Sequence, residues 1–198
     1  MATFGNTGNG ASSTTVADAD GDNLWVSSGT PASSGVVVSL TSRFHVTAGS
    51  VNWRGVIYSD NAGEPDALLA VTDDGNVTAT SEQENTLNFS GANLISIVAS
   101  TAYWIGTHWE SPAGGDLVLS RSATANLRRV ANGDVFSGGT GTPISAPTTT
   151  LSGPVDTYVT YTPSGPANLK TLNTNATANV KTIDTNAIAN VKSLNTNV

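Results

Sequence analysis

A chain of 198 residues with a formal charge of −7 repels phosphate backbones, which argues against nucleic acid as a partner. It contains no cysteine, which excludes disulfides and thiolate chemistry, and no apolar run long enough for membrane insertion. Only 12 % of residues are charged while Gly, Ser, Thr, Asn and Ala abound, a balance that fits an all-β protein with polar turns rather than a disordered chain.

The charge is divided unevenly along the chain. Residues 1–163 hold five arginines and no lysine against fourteen acidic residues, a net −9, whereas residues 164–198 hold three lysines against Asp184, a net +2. The basic tail can approach the acidic body of another copy, although exposed pairs of this kind contribute little each. The first residues, MATFGNTGNGASS, have neither the basic n-region nor the apolar h-region of a signal peptide.

Asp18, Asp20 and Asp22 follow, three carboxylates at alternate positions. A tight loop aims such a set at one hard cation, so a structural calcium is one reading. The third Asp is followed by Asn23 where a calcium loop has glycine, and Gly29 stands where the bidentate Glu belongs, so a solvated acidic turn is the preferred reading.

Short runs rich in β-branched and aromatic residues then predict strands over 23–27, 35–47, 51–59, 67–72, 86–90, 94–100, 103–110, 116–121, 127–131 and 155–162. Turn chemistry separates them at 47–50, 60–65, 73–76, 111–115 and 132–134. Residues 137–150 are a low-apolar excursion before the last strand. Eight to ten strands without an amphipathic helix predict a jelly-roll-like β-sandwich over 1–163. Residues 164–166 break the chain before the tail.

Alternation within the strands predicts one buried and one polar face. In 51–59 one face carries Val51, Trp53, Gly55 and Ile57, the other Asn52, Arg54, Val56 and Tyr58. In 103–110 the faces are Tyr103, Ile105, Thr107 and Trp109 against Trp104, Gly106, His108 and Glu110. Trp104, His108 and Glu110, with Arg54 and Tyr58 on a neighbouring strand, make a candidate glycan-binding platform, because an aromatic face beside polar groups stacks a pyranose and bonds its hydroxyls. The plainer reading is packing, since a two-sheet sandwich of this size needs its four tryptophans.

Catalytic signals are weak. His45 and His108 are the two histidines, in no metal-ligand spacing, and no GxSxG elbow occurs. Glu82 and Glu84 sit together in a polar loop with nothing to place them across a sugar. The aspartates 60, 66, 73 and 74 lie in or beside turns, where carboxylates bond nearby backbone N–H groups. A non-enzymatic protein is expected, with no cofactor beyond that calcium.

The runs RGVIYSDNAGEPDALLA (54–70) and TAYWIGTHW (101–109) resemble a β-sandwich module of choice-of-anchor bacterial surface proteins and phage structural proteins. The likeness spans roughly residues 35–162. The tail resembles the IKSINGV-type repeats at the C-termini of phage and prophage virion proteins, with NTN or DTN in place of the NG turn. These resemblances imply a virion fibre, decoration or tail-associated protein. Its partners would be capsid or tail proteins and, in a host-attachment or receptor-binding role, a host-surface glycan. A surface-type β-domain without an export signal suits a virion component, which assembles in the host cytoplasm.

The tail itself is an eleven-residue repeat: ANLKTLNTNAT (167–177), ANVKTIDTNAI (178–188) and ANVKSLNTNV (189–198), with Lys170, Lys181 and Lys192 at one position. A unit this short cannot bury its own apolar side chains and orders only against copies of itself. The apolar columns are Leu169/Val180/Val191, Leu172/Ile183/Leu194 and Ala176/Ala187/Val198. On a helix their spacing makes the stripe of a right-handed coiled coil. Eight Asn and six Thr in 32 residues disfavour that helix, so a β-stacked stem is preferred. A homo-oligomer, expected to be a trimer, follows, joined through 167–198.

Overall fold

The computed structural model describes residues 1–8, 12–16, 23–110, 113–121, 127–131, 149–151 and 155–165. The chain separates into two units, Met1–Pro163 and Ser164–Val198. The predicted turn 132–134, most of the excursion 137–150, Asp18, Asp20, Asp22 and the stem residues Leu169, Leu172, Val180, Ile183, Ala187, Val191, Leu194 and Val198 lie outside the described residues.

The body is a sandwich of two antiparallel sheets. One sheet holds β1 (Ala2–Gly5), β2 (Ser12–Val16), β4 (Gly35–Val46), β8 (Gln83–Asn88), β9 (Ser96–Ile97), β11 (Leu117–Arg121) and β14 (Thr157–Pro163). The other holds β3 (Asn23–Gly29), β5 (Val51–Asn61), β6 (Glu64–Val71), β7 (Gly75–Val77), β10 (Tyr103–Trp109), β12 (Leu127–Ala131) and β13 (Thr149–Leu151). Most connections carry the chain from one sheet to the other. A 3₁₀ turn, Gly91–Asn93, precedes β9.

Between the sheets the alternating apolar positions meet as predicted. Val37, Leu40, Phe44 and Val46 of β4 face Trp53 and Ile57 of β5 and Ile105 and Trp109 of β10 within one buried cluster. Phe44 stands edge-on to Trp53 and Trp109, with centroids 5.1 and 6.1 Å apart, and Trp25 stands edge-on to Trp109 at 6.3 Å. Such pairs add about 0.5–1.5 kcal/mol each beyond the area they bury. Phe4 closes one end against Tyr103 and Tyr161. Three of the four tryptophans therefore serve the inner core.

The expectation of one polar face fails for the second sheet. All seven residues of β10 are buried, as are seven of the first eight of β5. Leu24, Val26, Val56, Tyr58, Val71 and Trp104 form a second buried cluster on the outer side. Alternation reports which residues share a face, and it is silent on whether the second face meets water.

The turn predicted at 60–65 is a two-residue hairpin: Asn61 pairs with Glu64, and Ala62 and Gly63 both take positive φ, 55° and 87°. That is the primed geometry whose twist matches the flanking strands. Asp60 Oδ2 accepts a bond from the Gly63 N–H at 3.1 Å. Alanine in the left-handed region is strained, and asparagine tolerates that region better. Ala62→Asn is expected to stabilise the body by about 0.5–1 kcal/mol, read as a rise in Tm of roughly 2 °C. An unchanged or lower Tm would count against this turn geometry.

Candidate functional site

β10 lies between β3 and β5, and its register decides which sequence candidates meet. Trp104 stands opposite Tyr58 of β5, and His108 opposite Arg54. On the β3 side the same residues face Ser28 and Leu24. The fold thus brings Trp104, His108, Arg54 and Tyr58 onto one face of one sheet, as their spacing predicts. Glu110, one residue beyond β10, continues the same face at its margin.

That face is not an open platform. Trp104 is 2 % exposed, His108 1 %, Arg54 2 % and Tyr58 0 %. A pyranose needs a bare ring to stack on, and here the Trp104 ring packs with Leu24, Val26, Val56, Tyr58 and Val71, with Leu68 against them. The packing reading accounts for these side chains. A glycan site on this face would require the ring to be uncovered.

Two polar groups of the face, the Trp104 indole N–H and the Arg54 guanidinium, are held by carboxylates that come from turns. Trp104 Nε1 donates to Asp60 Oδ1 at 2.8 Å, so one aspartate secures both the hairpin turn and the indole. The Arg54 guanidinium pairs through Nε with Asp74 Oδ1 at 3.2 Å. Asp74 is 48 % exposed and Arg54 2 %, so the pair joins a buried guanidinium to a carboxylate that solvent partly screens. At the lower margin Asn76 Nδ2 donates to Asn52 Oδ1 at 2.7 Å, and Asn52 Nδ2 donates to a Glu110 carboxylate oxygen. Glu110 also anchors its backbone N–H on the Asn52 carbonyl at 3.0 Å.

Sequence reasoning assigned the aspartates to turns, and it missed the long-range half of their work. Asp73 behaves likewise, accepting from Ser90 Oγ at 2.8 Å. The signal that was present is their position at strand ends flanking the aromatic strand. Nothing in the linear order says which distant side chain they reach.

The other candidates stay apart. Glu82 and Glu84 both pair with Arg43, at 3.5 and 3.0 Å, on the opposite sheet. His45 lies on that sheet in β4, opposite Val118. No group of three or more His, Asp or Glu side chains converges on a possible metal position among the described residues. No protein-family model matches the chain, and no curated protein is similar to it.

Proposed function

We propose that this chain is a non-enzymatic structural protein of a phage particle, a head-decoration, fibre or tail-associated component. In this reading the sandwich is the displayed body and residues 167–198 hold copies together as a trimer on the virion. The observation that carries the reading is the repeat: three units with apolar columns in register and one lysine per unit. Val180, Ile183, Val191 and Leu194 leave water only when units meet. Each then contributes on the order of 1.5–3 kcal/mol. The body supports the reading as a folded unit for display: among the described residues its inner core is one cluster that runs from Phe4 to Tyr161.

Light scattering or native mass measurement tests this. The full chain is expected at three times its 20.1 kDa, and a chain ending at Ser164 at the mass of a single body. A full chain at 20.1 kDa, or a truncated chain that keeps the same subunit number, would remove the stem from the assembly.

A further inference from the structure

Five large apolar side chains are exposed among the described residues, and three of them gather at one place. β9 pairs with the start of β4, Val36 opposite Ser96 and Gly35 opposite Ile97, and the Val37 N–H continues the ladder to the Ile95 carbonyl at 3.1 Å. Ile95 and Ile97 turn inward against the core. Leu94 and Val98, two residues either side of Ser96, therefore turn outward on the face that Val36 shares. Their exposures are 47 % and 55 %, with Val36 at 38 %. On the other side of Val36 stands Thr162 of β14, and Gly35 is paired with Pro163.

This patch borders the strand by which the chain leaves the body. Residues 164–166 reach at most about 10 Å. In the stem reading the repeats of neighbouring copies are joined, so each body is tethered through its β14 end, beside this patch. Three side chains fall far short of the roughly 1,000 Å² that a free-standing interface needs. They suffice between tethered copies, where the second contact is effectively intramolecular.

We propose that the Val36–Leu94–Val98 patch is the seat of a second copy of this chain, a body-to-body contact at the base of the oligomer. The inference rests on the stem reading above and names its second interface.

The test uses the full chain in a dilution series followed by light scattering. Replacing Val36, Leu94 and Val98 together by Asp is expected to raise the concentration at which the oligomer dissociates at least ten-fold. Asn61→Asp with Ala67→Asp, at the exposed β5–β6 hairpin, is expected to leave it unchanged. A second measurement exploits the absence of cysteine. A Val98→Cys thiol in the full chain is expected to react with a bulky maleimide at least ten-fold more slowly than an Asn61→Cys thiol. If the native chain associates but the triple variant dissociates at the same concentration and the two thiols react alike, the patch is not an interface and the stem reading survives. If the native chain is monomeric at every concentration, the stem reading itself falls and this inference falls with it.

Discussion

Gly106→Ala is expected to destabilise the body by about 4 kcal/mol, lowering Tm by roughly 10 °C, or to prevent folding. Gly106 is the central residue of β10, opposite Val26 on one side and Val56 on the other. A Cβ there would lie 1.8 Å from the Trp25 carbonyl oxygen and 2.7 Å from the Val26 Cα. Those atoms are backbone of β3, which the ladder on both flanks of Gly106 holds in place, with Ile105 opposite Ser27 and Thr107 opposite Trp25. A flexible side chain would swing away; a paired strand moves only by giving up hydrogen bonds in the middle of the sheet. Gly165→Ala serves as the comparison, because nothing lies within 4 Å of that added methyl. Denaturant melts of both variants give the answer. A Gly106→Ala protein within 1 kcal/mol of the parent would show that β3 and β10 are not as close as described.

The strands legible in the sequence are those whose two faces differ or whose apolar density is high. β3, β4, β5, β10, β11 and β12 fall within a few residues of where alternation places them. β1, β2, β7 and β13 escape that reading. Ser12–Val16 is SSTTV, mostly exposed, and it pairs along one side with β11. Backbone hydrogen bonds alone define such an edge strand, so its side chains carry no period. β7 begins at Gly75, inside the stretch read as an acidic turn, and is held by the Val51–Val77 and Trp53–Gly75 pairings. The run 94–100 errs the other way: irregular backbone at 94–95 and a turn after Ile97 leave only Ser96–Ile97 as strand. Its outward residues Leu94 and Val98 resemble strand residues because they are apolar, yet they face solvent.

The candidate site divides along the same line. That Trp104, His108, Arg54 and Tyr58 share a face follows from period two and one register, both local facts. That the face is buried, and that Asp60 and Asp74 serve it, depends on contacts between residues 20 to 44 positions apart, which no local pattern encodes. Aspartate at a strand end satisfies the turn rule and the long-range rule equally well, so the sequence offers no way to choose between them.

The second large effect decides between packing and ligand display on that face. Trp104→Ala is expected to cost about 3–5 kcal/mol, a drop of roughly 10 °C, since an almost fully buried indole leaves a void beside Tyr58 and Val56. Trp104→Phe keeps most of the ring and loses the indole N–H bond to Asp60, so it is expected near 1 kcal/mol plus a small void term. The order matters more than the absolute values: Ala far below Phe, and Phe below the parent. A surface platform for a sugar behaves otherwise, because an exposed ring is removed with little loss of stability and a large loss of binding. If thermal melts of the Trp104→Ala chain overlay the parent, the indole is not part of a core, and a glycan screen on this face becomes the next measurement. If they separate as expected, any binding lost in that variant is attributable to a damaged sheet, and the solvent-facing groups Glu110 and Asn52 are where a ligand search on this side of the body belongs.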